Sequence, residues 1–114
     1  MTNIHPMQLY IANVPFDEGH ISKVRPALVI EVTAQRVIVF KITSQHSNKS
    51  DFIQRLYYPI KQWQLAGLNE PSYVDTHRAY ALTRERVFAH RPIGELTLLD
   101  VVNLSTFLKQ QHFL

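Results

Sequence analysis

Apolar positions in this chain fall in short runs, and only the last segment repeats at a helical spacing. The two clearest runs, 27–32 (ALVIEV) and 37–42 (VIVFKI), are rich in β-branched residues, which predicts two strands. Residues 33–36 separate them, a hairpin length, although the usual Gly or Asn turn residue is missing. A regular hairpin centred on Ala34 sets Val32 opposite Arg36 and Arg25 opposite Thr43. One face then carries Pro26, Leu28, Ile30 and Val32 beside Ile42, Phe40, Ile38 and Arg36. The other carries Arg25, Ala27, Val29 and Glu31 beside Thr43, Lys41, Val39 and Val37. The first face is almost wholly apolar and is expected to look into the core. The second is mixed, with most of its polar groups towards the open end. Opposed residues on one face have Cβ atoms about 4.5–5.5 Å apart, so Arg25 and Thr43 would form one small polar site. Pro26 holds Arg25 extended at the strand entrance. An ordinary hairpin with a charged residue at its mouth would show the same pattern.

The flanking pattern supplies further elements. Residues 7–14 (MQLYIANV) predict a first strand, ended by Pro15. The polar stretch that follows holds Gly19 and His20, and a loop there can fold back over the hairpin mouth. His20 then either brings an imidazole that titrates near neutral pH or stays a solvated loop histidine. After a loop at 46–51, which adds the charge of Lys49, residues 52–60 (FIQRLYYPI) predict a strand, and 61–66 (KQWQLA) a helical turn capped by Gly67. Trp63 is expected as a core anchor. Residues 72–82 predict another strand, with Tyr73, Asp75, His77, Ala79 and Ala81 on one face and Val74, Thr76, Arg78, Tyr80 and Leu82 on the other. Asp75 and His77 there form either an acid–base or orienting pair or a surface ion pair. Thr83 can cap a brief turn, and Pro92 and Gly94 break the chain again. Thr97-Leu98-Leu99-Asp100 then opens the strongest helix signal, a capping-box variant with Asp for the preferred Glu. Leu98, Val101, Val102, Leu104 and Leu108 give it an apolar face. That face is expected to pack on the sheet, or in part against a second subunit.

Composition narrows the function classes. A chain of 114 residues with 46% hydrophobic and 18% charged residues suits one folded domain, 1–114, mainly β with α elements. The formal charge of +3 permits an anionic partner such as RNA without demanding one. With no cysteine, disulfide scaffolds, thiolate zinc sites and cysteine nucleophiles are excluded. The histidines at 5, 20, 46, 77, 90 and 112 show no metal-binding spacing, so no metal or other cofactor is expected. No apolar run approaches the roughly 18 residues of a membrane span, and MTNIHPMQLY lacks the pattern of a signal peptide. A cytoplasmic location is expected.

Ile11-Ala12-Asn13-Val14-Pro15-Phe16, Val24-Arg25-Pro26-Ala27-Leu28-Val29-Ile30 and Ile42-Thr43-Ser44 together resemble the MazF/PemK toxins of type II toxin–antitoxin systems. Ala66-Gly67-Leu68, Pro71-Ser72-Tyr73-Val74 and Ile93-Gly94-Glu95-Leu96 agree in order and spacing, so the similarity spans nearly the whole chain. The resemblance implies an SH3-like β-barrel with short helices and a C-terminal helix, usually a homodimer. It implies a metal-independent endoribonuclease, an mRNA interferase, that cuts single-stranded RNA at short sequences. It also implies an antitoxin whose disordered tail covers the RNA groove. The family's catalytic arginine and threonine fall on Arg25 and Thr43, and Gly19-His20 resembles a Gly-His loop that some members use. Ser44, Lys49, Asp75, His77 and Arg78 are the expected RNA-contacting residues. His20, His77 or Asp75 could take the 2′-OH proton. Many relatives carry Gln-x-Arg-Thr-Ile-Asp where this chain has Arg78-Ala79-Tyr80-Ala81-Leu82-Thr83, which puts Tyr80 at the usual arginine position. Two other readings stay open: a CcdB-like gyrase inhibitor on the same barrel, and a degenerate barrel that only binds RNA or antitoxin.

Overall fold

The computed structural model describes residues 4–15, 22–46, 49–88 and 92–112. In chain order the elements are β1 (Gln8–Pro15), β2 (Ser22–Val32), β3 (Arg36–Thr43), α1 (Asp51–Gln54), β4 (Tyr57–Pro59), β5 (Tyr73–Thr83), α2 (Arg84–Phe88), β6 (Pro92–Glu95) and α3 (Leu98–His112). The strands form one antiparallel sheet in the order β4-β5-β3-β2-β1-β6. Among the described residues no pairing joins β4 to β6, so the sheet stays open where a barrel was expected. Both edges are short, three residues in β4 and four in β6, which limits the unpaired backbone they expose.

The β2–β3 hairpin keeps the expected register at its open end, where Ala27 pairs with Lys41, Leu28 with Phe40 and Val29 with Val39. A bulge between Val29 and Glu31 then shifts it by one, so Val32 meets Val37 rather than Arg36. One extra residue turns every later side chain to the other face. Ile30 therefore packs with Leu28, whereas Val32 packs with Val29 and Val37. The turn closes with the Thr33 amide donating to the Arg36 carbonyl at 2.9 Å and the Arg36 amide to Thr33 Oγ1 at 2.9 Å. A threonine hydroxyl thus does the work usually given to Gly or Asn.

Both sheet faces carry a core. Leu9, Leu28, Phe40, Ile42, Tyr58 and Leu104 belong to one. Tyr10, Val14, Ala27, Val29, Val39 and Leu82 belong to the other. The face expected to be mixed therefore buries Ala27, Val29, Val37 and Val39 completely, and only its open end is polar. Tyr10 lies in this second core, where burial pushes its hydroxyl above the ordinary tyrosine range.

Three further segments depart from the sequence pattern. Residues 52–60 do not form one strand. Ser50 accepts from the Ile53 amide and caps α1, and the strand begins only at Tyr57. Residues 92–95 do not merely break the chain; they form β6, paired with β1. Asp100 does not close a capping box. Its carboxylate is fully buried and accepts from Tyr58 Oη at 2.5 Å and from the Lys61 and Gln62 amides at 2.9 Å each. It thereby holds the start of the 61–67 turns against α3. The end of those turns rests on two glycines. Gly67 takes φ +97°, and a Cβ on Gly94 would lie 2.3 Å from the Ala66 carbonyl oxygen. Helix α3 packs on the sheet through Val101, Leu104, Phe107 and Leu108. Leu98 and Val102, expected in that face, are exposed.

Candidate active site

At its open end the polar face of the hairpin lines a cavity of about 160 Å³. The β2–β3 pairing ends at Ala27–Lys41, so the expected Arg25–Thr43 pair does not form in the ladder; both residues nonetheless line this cavity together with Lys41, Lys49, Asp75 and His77. Arg25 sits on a central strand, and its pairing with Ala12 of β1 holds its backbone on that side. Thr43 pairs with Tyr73 of β5. Its hydroxyl oxygen accepts from the Gln45 amide at 2.9 Å. A hydroxyl that spends an acceptor site in this way still has its own hydrogen to donate.

A second irregularity shapes the far wall. The β3–β5 register changes between Phe40, opposite Ala79, and Lys41, opposite Asp75. Thr76, His77 and Arg78 therefore bow out of the ladder, and the expected alternation along 72–82 fails. Asp75 is buried and His77 is exposed. The Asp75 carboxylate accepts from the His77 backbone amide at 3.0 Å, so the link between the two runs through backbone. The Thr76 hydroxyl and amide both donate to the Leu56 carbonyl, which pins the other side of the bulge. The effect is to bring His77 to the rim of the cavity.

Lys41 is 8% exposed, and its Nζ lies 4.0 Å from Asp75 Oδ2 and 5.4 Å from the centre of the Tyr80 ring. A buried ammonium needs such partners. Tyr80, at the position where many relatives carry arginine, thus forms an aromatic wall behind a lysine. Tyr57 pairs with Asp75 on the other side and joins a small aromatic group in which His46 stacks on Tyr73 with centroids 4.5 Å apart and planes at 13°.

Of the residues singled out from sequence, Arg25, Thr43, Lys49, Asp75 and His77 converge on one cavity. Ser44 lines an adjoining cleft that also touches Arg25 and Thr43. Arg78 is exposed on the bulge. His20 lies outside the described residues. Lys41 and Tyr57 were not singled out. Lys41 had a visible signal, as the one charge in an otherwise apolar run and on the same hairpin face as Arg25. Tyr57 was hidden by the misplaced start of its strand.

The arrangement clusters three cationic side chains, one carboxylate, one imidazole and the hydroxyls of Thr43 and Tyr57, all but Lys49 carried on strands of the sheet. Such a site suits an anion whose charge grows during reaction, as in phosphoryl transfer. The family comparison names the class: the model for PemK-like, MazF-like toxins of type II toxin–antitoxin systems matches residues 5–112. The chain belongs to that family and so has a toxin's role, which entails an antitoxin partner. A search of curated proteins returned no match. No helix among the described residues is long and apolar enough to cross a membrane.

Proposed function

We propose that this toxin is a metal-independent endoribonuclease that cleaves single-stranded RNA at short sequences. The observation that carries the reading is the convergence of Arg25, Thr43 and Lys41 on one cavity. In the reaction the ribose 2′-oxygen attacks the adjacent phosphorus and loses its proton to a base. The bond to the 5′-oxygen of the next nucleotide breaks, and that oxygen takes a proton. The products are a 2′,3′-cyclic phosphate and a 5′-hydroxyl. Negative charge builds on the non-bridging oxygens as the new bond forms. The Arg25 guanidinium offers paired donors to those oxygens, Lys41 adds a second cation, and the Thr43 hydroxyl donates its remaining hydrogen. His77 and Asp75 are the described groups able to accept the 2′-OH proton, and His20 is a third candidate. Lys49, Ser44 and Arg78 contact the flanking RNA backbone.

We further propose an SH3-like arrangement of the strands, a homodimer in the cytoplasm, and inhibition by a disordered antitoxin tail laid in the same groove. The test is incubation of the protein with single-stranded RNA in EDTA. Cleavage leaving a 2′,3′-cyclic phosphate supports the ribonuclease. RNA that stays intact while bound supports a binding-only toxin. Intact unbound RNA together with capture of gyrase supports the CcdB-like reading.

A further inference from the structure

The groove that passes Arg25 and Thr43 continues beyond them. Both residues also line a second cleft of about 250 Å³, which runs past Pro26 to Glu70 and Ser72. Pro26, Glu70 and Ser72 in turn line a third of about 160 Å³, walled by Leu68, Asn69 and Ile93. The second cleft thus shares wall residues with each of the other two, and the chemistry of the linings differs. Arg25, Lys41 and Lys49 mark the cationic end. The other end has apolar walls in Pro26, Leu68 and Ile93, the neutral polar residues Asn69 and Ser72, and a single carboxylate.

That carboxylate belongs to Glu70. It is exposed and has no hydrogen-bond or ion-pair partner among the described residues. Its backbone is fixed, because the buried Ser72 hydroxyl donates to the Glu70 carbonyl at 2.8 Å. A phosphate next to Glu70 would be repelled. A strand gripped by its phosphate at Arg25 and Thr43 therefore turns a base, and not its backbone, towards this end. A carboxylate only accepts hydrogen bonds, so it favours base edges that donate. Guanine presents N1–H and the N2 amino group side by side, matching the two carboxylate oxygens. Adenine and cytosine offer one amino group next to an acceptor, and the single N3–H of uracil lies between two carbonyls. Single-stranded RNA is read on such edges while the ring packs on protein side chains. Pro26, Leu68 and Ile93 supply that packing surface.

We propose that this end of the groove is a base-reading subsite, in which Glu70 selects guanine at a nucleotide flanking the phosphate held by Arg25 and Thr43. The proposal rests on the ribonuclease reading for its place in catalysis, but not for binding. The test uses wild type and Glu70→Gln in two arms. In the first, cleavage sites are mapped in a randomised single-stranded RNA. In the second, affinities are measured for four oligonucleotides that differ only at the flanking base and carry 2′-deoxyribose at the scissile position. The expected result is a guanine preference in both arms for wild type, reduced roughly tenfold in Glu70→Gln, as loss of a bidentate base contact implies. Preferences at other positions should be unchanged. A profile and relative affinities that do not move in Glu70→Gln overturn the subsite, as does a wild type indifferent to the base. Absence of cleavage with guanine-selective binding retained overturns the ribonuclease reading and leaves the subsite standing.

Discussion

Thr43 illustrates how one side chain can be both placed and left ready. Its oxygen accepts from the Gln45 amide, which fixes the rotamer, and its hydrogen remains for a phosphate oxygen. Thr43→Ser should keep most cleavage activity. Thr43→Val should lose roughly a hundredfold or more, the typical cost of removing one donor to a developing oxyanion. Rates on one RNA substrate, beside unchanged circular dichroism, check this. Tyr58 makes a different prediction at the same scale. Burial, and then its hydrogen bond to Asp100, raise its pKa well above the ordinary 10, and burial also raises that of Tyr10. The folded state thus holds both protons more tightly than the unfolded chain does. Their contribution is fully present below about pH 10 and is lost as pH rises through the folded values. Urea midpoints should be flat with respect to these groups up to about pH 9 and fall above about pH 10. The fall should be shallower in Tyr58→Phe.

The elements show what the pattern of apolar residues can and cannot convey. The hairpin was legible because β-branched runs and a four-residue gap leave few alternatives; its pairing ends at Ala27–Lys41, and Arg25 and Thr43 beyond it line one cavity. The bulge at Ile30 was not legible, since residues 27–32 hold no Gly, Asn or Pro to mark an irregularity. The bulge at 76–78 depends on contacts far along the chain, from Thr76 to Leu56 and from Asp75 to Lys41. No local spacing reports those. The capping signal at 97–100 was real in type but wrong in target, because Asp100 serves the 61–62 amides and Tyr58 instead. Asp100→Ala should accordingly cost about 3–5 kcal/mol, leaving one hydroxyl and two amides without their acceptor. Gly94→Ala should also destabilise strongly, because its Cβ would meet the Ala66 carbonyl oxygen at 2.3 Å, and backbone on both sides leaves little room to yield. Chemical denaturation of each variant against wild type measures both.

At the scale of the molecule, two surfaces carry expectations. The outer side of α3 exposes Leu98, Leu99 and Val102, at 77%, 47% and 54%, an unusual grouping for a monomer's surface. If the proposed homodimer uses it, sedimentation should give a dimer for wild type and a monomer for Leu98→Glu with Val102→Glu. A dimer that persists in the double variant places the interface elsewhere. The groove should bind single-stranded RNA with an affinity that falls as salt rises. Phosphate contacts from Arg25, Lys41 and Lys49 imply a log–log slope of about −2, and Lys49→Ala should reduce its magnitude by about 0.7.

All of this depends on two β-strands bringing a guanidinium and a hydroxyl to the same phosphate. The most direct measurement is single-stranded RNA digestion in EDTA by wild type and by Arg25→Ala, with analysis of the product ends. The expected result is 2′,3′-cyclic phosphate from wild type and a rate lower by about 10²–10³ in a normally folded Arg25→Ala. Equal rates from the two proteins, or RNA left intact by a well-folded wild type, would contradict the account.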